Sequence, residues 1–464
     1  MNRLRKTALT TGLAAALLAG PLGVAASAAP TATITLTGTS ATVSGSNVTV
    51  SGGAVTITAP GSYEISGTLT NGSVTVNSTA TGTVELILNG ASITSATTAP
   101  VNVSSATQVT VTLGAGTSNT LTDAAGHSTD TAGEPDGTLF SKSNLTIGGT
   151  GSLSVRGNFA DGIVSKDDLV IESGTITVNS VDDGIRGTNS VTVNGGTVNV
   201  TSTGGDGIKS SETTAGNGIT AITSGTVTVS AADDGIKGEN ALNISGGTVH
   251  VTRSTEGLEA TQVTLSGGAT TAVASDDAVN ASQEGYEGET VAPNAFIRVT
   301  GGSVVADGGT DAFDSNGTLT FAGGTVAAAG SATVGGGEGA IDSNGALAFT
   351  GGTVAASGRT SLAVFYTVAN NAQGWVAPKF TTNYAAGTIV HIVSGTTVLA
   401  SYQGPKAFRE VLVSSSRITN GQSYDVYVGG SVSGTGVGGL YPSGSITGAT
   451  RVLTGVVAGQ YTRQ

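Results

Sequence analysis

The sequence predicts an all-β chain wound as a parallel β-helix, a solenoid of roughly 22-residue coils with a small C-terminal β cap or domain. Three observations predict it. Of 464 residues 73 are Gly, none is Cys and only 11% are charged, and Val, Thr and Ser stand where a helical protein would carry long unbranched side chains. The phrase Gly-Gly-Thr, or a close variant, recurs after short β-branched runs, its final Gly at 151, 174, 196, 225, 247, 268, 302, 324 and 352. The intervals stay near 22 apart from three longer ones (29, 34 and 28), so the extra residues are confined to three insertions. Thirdly, every coil carries an apolar residue in one slot: Ile163, Ile185, Ile208, Ile236, Leu258, Val279, Phe313 and Ile341. Stacked coils need such an interior ladder.

Residues 1–28 open with Arg3, Arg5 and Lys6, continue through the apolar run Leu9 to Leu18 and end on Ala26-Ser27-Ala28. That order of charge, short apolar stretch and small-residue exit is a removable export signal, too short to span a bilayer. The mature chain, 29–464, is expected outside the cell. From residue 29 the coil marks are weaker, with Ile65, Leu88 and Leu113 spaced 23 and 25 apart. Residues 122–137 form a polar insertion. The regular coils follow, each read as short alternating strands with one inward face. The repeat stops near 361. Seven of the nine tyrosines lie beyond it, among runs such as Thr388–Val393 and Ser423–Val428, so the solenoid, 29–360, is expected to end under a β-rich segment, 361–464.

Acidic residues crowd the solenoid. Residues 29–122 hold 2, residues 123–342 hold 27 and the rest hold 2. One slot reads Asp161, Asp183, Asp206, Asp234, Glu256, Asp277 and Asp311, doubled at Asp182 and Asp233. Coils lie about 4.8 Å apart, a spacing at which like charges repel by roughly 3 kcal/mol at an effective dielectric of about 20. Such a column must be solvated, protonated, paired or bridged by metal. Arg186, Lys209 and Lys237, three residues after their own Asp, supply partial pairing. Asp-Gly corners explain themselves in part as turns. The doubled acids go further, and convergent carboxylates on flexible turns suit calcium. The metal ligands expected are therefore Asp161, Asp182, Asp183, Asp206, Asp233, Asp234 and Asp277. Zinc or copper finds no thiol and only three scattered histidines. The acidic balance, 31 Asp and Glu against 18 Lys and Arg, disfavours nucleic acid as a partner, and none is expected.

Several runs, in order, carry a family resemblance: Glu134-Pro135…Leu139-Phe140-Ser141-Lys142, Gly157-Asn158-Phe159-Ala160-Asp161-Gly162-Ile163, Asp182-Asp183-Gly184-Ile185-Arg186-Gly187, Asp206-Gly207-Ile208-Lys209, Asp233-Asp234-Gly235-Ile236-Lys237-Gly238 and Tyr424-Asp425-Val426-Tyr427-Val428-Gly429-Gly430. The chain resembles secreted carbohydrate-binding proteins of cellulolytic clostridia and other bacteria. The resemblance implies a right-handed, pectate-lyase-like β-helix, bound calcium and affinity for cellulose or an acidic plant polysaccharide. It departs where Asp136-Gly137 replaces the usual Asn-Ala and where Ala follows Asp277 and Asp311. The reading is a monomeric, non-catalytic polysaccharide binder with Arg186, Lys209 and Lys237 toward the glycan and Trp375 as a platform for a sugar ring. A polysaccharide lyase or hydrolase on the same scaffold, and a structural adhesin, remain the alternatives.

Overall fold

A computed structural model describes residues 29–286, 288, 290–333, 339–359, 363–368 and 373–462; the export signal expected at 1–28 lies outside them. Among the described residues there is no helix, and so none long and apolar enough to cross a membrane. Asp161–Ser165, Asp168–Ile171 and Thr175–Ser180 make three sides of one coil, and Ile185–Gly187, Ser190–Val193 and Thr197–Ser202 make three sides of the next. Each side pairs in parallel with the same side one coil on: Ile163 with Ile185, Leu169 with Val191, Ile176 with Val198. Alternation turns all six inward, where they are fully buried. The architecture is β-helix-like.

The apolar slot is one continuous ladder. Ile163, Ile185, Ile208, Ile236, Leu258 and Val279 pair in succession, Phe313 bridges Ile341, and all eight are buried. The weaker N-terminal marks keep register too, Ile65 against Leu88 and Leu88 against Leu113. The repeated Gly has a steric cause at its corner. Gly225 and Gly247 hold φ of +88° and +77°, and a Cβ on Gly247 would stand 2.7 Å from the Gly225 carbonyl oxygen of the coil below. Only Gly fits such a stack. Gly151 departs from the pattern, the left-handed corner of its coil falling at Gly149 instead.

Both ends of the stack are covered by antiparallel strands. At the N-terminus Ala32–Gly38 pairs in parallel with Gly61–Leu69 and takes the antiparallel strand Ala41–Gly45 on its other side. At the far end Ile341–Gly358 meets the antiparallel strand Phe408–Ser415. Beyond it lies a five-stranded antiparallel sheet in the order Leu440–Tyr441, Thr397–Gln403, Ile389–Ser394, Ser423–Val428, Thr450–Val457. Phe380, Tyr402, Phe408 and Val426 belong to its core. The buried Tyr402 hydroxyl donates to the Ala328 carbonyl at 3.0 Å, fastening this sheet to the solenoid. Trp375, Ala377 and Leu412 complete the solenoid's own core, so the last coil is closed by side chains from the C-terminal segment.

Candidate functional site

The acidic slot lies on the outward side of the corner that precedes the apolar ladder, and its carboxylates do two jobs. Asp161 Oδ1 accepts the backbone N–H of Asp183 at 3.0 Å, Asp183 Oδ1 that of Asp206 at 2.9 Å, and Asp206 Oδ1 that of Asp234 at 2.9 Å. Asp277 Oδ1 takes the N–H of Asp311 in the same way at 2.9 Å. One oxygen of each acid thus caps the next coil, satisfying an amide the turn leaves out of the ladder.

The second oxygen meets a cation. Arg186 Nε and Nη2 donate to Asp161 Oδ2 at 2.9 and 2.6 Å, and Nη2 also reaches Asp136 Oδ2 at 2.6 Å. Lys209 Nζ lies 2.8 Å from Asp206 Oδ2. Lys237 Nζ lies 2.8 Å from Asp234 Oδ2 and also pairs with Glu259. Burial works against the charge on all three cations, but the carboxylates beside them outweigh it and hold each above its ordinary range. Burial raises Asp183, and it pushes Asp161 up to about 7 against the pull of Arg186. Burial and the adjoining Glu259 push Asp234 up to about 9.

These contacts redraw the expected ligand set. Asp161, Asp183 and Asp206 each commit one oxygen to an amide and have the other beside Arg186 or Lys209, so this stretch resolves its repulsion by pairing. Asp182 and Asp233 are exposed, unlike the buried acids that follow them. Asp233 still brings an oxygen within 4.8 Å of oxygens of Asp206 and Asp234.

The cation row then ends. The position held by Arg186, Lys209 and Lys237 pairs onward through Glu259 and Asn280 to Asp314. The second half of the face therefore gathers Glu256, Asp277, Asp311, Asp314 and Asp342 with Asn280. Oxygens of Asp311, Asp314 and Asp342 lie within 4.8 Å of one another. Burial first, then neighbouring carboxylates, push Glu256, Asp277 and Asp314 each up to about 7. Asn280 Nδ2 donates to Glu256 Oε2 at 2.7 Å, while its Oδ1 is buried without a hydrogen-bond partner. Carboxylates and an idle amide oxygen are a hard-cation donor set, and calcium fits these residues. Of the expected ligands only Asp277 belongs here. The change of sign from Lys237 to Glu259 along one slot was the signal that would have found the others.

Trp375 corrects the sequence reading. Its ring is 4% exposed and packs into the solenoid core, because the strand Trp375–Tyr384 closes the last coil; it offers no face to a sugar. His127 is buried as well, stacked on Phe159 with ring centroids 4.7 Å apart and its Nδ1 3.3 Å from Asp123 Oδ2.

A family profile described as carbohydrate-binding domain-containing protein matches residues 51–332 and, overlapping them, 222–361. A protein of Acetivibrio thermocellus with that same description is 33% identical over 126 residues, 27% of this chain. The match spans 44% of that relative's length. Among solved structures, a polysaccharide lyase-like protein from C. thermocellum, as a gadolinium derivative, is 32% identical, covers 52% of this chain and 93% of its own, and superposes with a TM-score of 0.46.

Proposed function

The chain belongs to the family of carbohydrate-binding domain-containing proteins, and from that premise we propose an exported, non-catalytic binder of plant cell-wall polysaccharide, cellulose or polygalacturonate, that works with calcium. In this reading residues 1–28 are removed on export, and the mature chain is a right-handed β-helix ending in the C-terminal sheet. The observation that carries it is the outward face itself. An acid recurs in one slot of successive coils from Asp161 to Asp311, and a regular polymer meets a regular surface with many weak contacts that add along its length.

The face divides the labour. Asp277, Asn280, Asp311, Asp314 and Asp342 would hold calcium, which offsets their charge and offers coordination positions to an acidic sugar. Arg186, Lys209 and Lys237 keep the neighbouring coils neutral, with side chains 14%, 27% and 24% exposed, and their open edges face the same polymer. Proton abstraction from a sugar is a poor match to them. A general base needs a pKa near the working pH, and all three are held above their ordinary ranges. Pull-down on cellulose and on polygalacturonate, with calcium and with chelator, tests the proposal. Retention on polygalacturonate that chelator abolishes is expected; retention on neither polymer would overturn it.

A further inference from the structure

Two of the three insertions in the repeat emerge at one corner of the solenoid. Residues 211–218 stand between the strands Ile208–Ser210 and Ile219–Ile222, and residues 282–295 between Val279–Ala281 and Phe296–Asp307. In the two intervening coils that corner is bare, the chain running straight through as Ile236–Ile244 and Leu258–Leu265. Three coil steps, about 14 Å at the spacing of paired strands, therefore separate the bases of two loops across an uninserted floor. The space between them is a groove of about 390 Å³, within the range of about 300–1,000 Å³ usual for small-ligand sites.

The lining is unlike the rest of this acidic region. Asn217, Asn240, Thr261, Gln262, Gln283 and Asn294 are its polar members, and among the described residues no ionisable side chain lines it. The walls are braced. Asn240 Nδ2 on the floor reaches the carbonyl oxygens of Glu212, Thr214 and Asn217 at 3.2, 3.1 and 2.9 Å, tying down the first loop. The Asn294 N–H donates to Gln283 Oε1 at 3.1 Å, closing the second loop on itself. Gln262, half-buried on the floor, makes no side-chain hydrogen bond to a described residue.

We infer that this groove is a subsite for a neutral, hydroxyl-rich glycan strand crossing the solenoid between the two loops. The inference rests on the carbohydrate-binding reading and assigns the neutral polymer to a place separate from the calcium-dependent one. A carboxamide offers a donor and an acceptor in one plane, matching the paired donor and acceptor character of sugar hydroxyls. Amide and hydroxyl groups, the polar lining among the described residues, neither repel a neutral chain nor require a counter-ion. The first loop, already held by Asn240, loses little freedom on binding. Thr261 also lines the adjoining cleft, which carries Lys237, Glu239, Glu259 and Glu284.

Isothermal titration of the mature protein with cellohexaose, xylohexaose and mannohexaose, in chelator, tests this. At least one should bind. Gln262→Ala should weaken it about tenfold, the scale of one hydrogen bond, with the melting temperature and the calcium-dependent retention on polygalacturonate unchanged. Gln262→Glu, which keeps the shape and adds a charge, should weaken it at least as much. Neutral binding that ignores both variants would move the subsite elsewhere and leave the family reading intact. Retention on polygalacturonate with no neutral oligosaccharide bound would overturn the subsite alone.

Discussion

Removing Arg186 is the sharpest perturbation of the ladder. Its guanidinium makes two contacts to Asp161, which is 3% exposed, and one to Asp136. In Arg186→Met the stem length is kept and the charge is lost, leaving Asp161 buried without its cation. Asp136 retains Lys166 at 3.7 Å. Removing one partner of a buried ion pair costs about 3–5 kcal/mol. Protonation of Asp161 relieves part of that, so a loss of about 3 kcal/mol is expected at neutral pH. The double variant Asp161→Asn/Arg186→Met should recover most of it. An Asn at 161 keeps an Oδ1 to accept the Asp183 N–H, and nothing charged remains to be compensated. Guanidinium titrations followed by far-UV circular dichroism, fitted for the first transition because stacked coils need not unfold together, give the comparison. Arg186→Met within about 1 kcal/mol of the parent, well below the usual cost of a broken buried pair, would refute the reasoning. So would a double variant no better than the single.

Three further outcomes are expected. Ile208→Asp should unfold the central coils, because the residue is fully buried in the interior ladder and an unpaired carboxylate there is very costly; a variant that melts like its parent would place the ladder out of register. Millimolar calcium should raise the melting temperature of the parent and of Asp161→Asn but not of Asp314→Asn/Asp342→Asn, by an amount set by how far the ion exceeds its dissociation constant; equal shifts in all three would contradict the donor set. In chelator, Asp277, Glu256 and Asp314 hold protons in the folded chain up to about pH 7 that the unfolded chain releases near pH 4. Their contribution is present below about pH 4 and is lost as pH rises through about 7. Asp314→Asn should therefore gain stability relative to the parent over that window, and a difference independent of pH would show that Asp314 ionises normally.

The solenoid was legible because it is periodic. The slot from Ile163 to Ile341 follows from counting, and its register holds because the insertions after Ser210 and Ala281 enter at a corner and leave the strands alone. The corner Gly was legible for the same reason, although its conformation shifts to Gly149 in one coil. The acid column was visible, but its pairing was not: counting shows that Asp161 and Asp183 stack, and only coordinates show Asp161 Oδ1 turned onto the next coil's amide. Trp375 was misread because aromatic character carries no sign of inward or outward, and its strand closes a coil from outside the repeat. The amide groove was hidden for a related reason. Asn217, Gln262 and Asn294 lie far apart in the chain, and neutral amides leave no mark in a tally of charge.

Under the proposed function, calcium on the second half of the ladder joins this acidic chain to a polysaccharide. A crystal structure grown with calcium and soaked with an oligogalacturonide tests it most directly. An ion is expected among Asp277, Asn280, Asp311, Asp314 and Asp342 with a sugar carboxylate upon it. An ordered oligogalacturonide bound elsewhere, with no ion among those five residues, would contradict it.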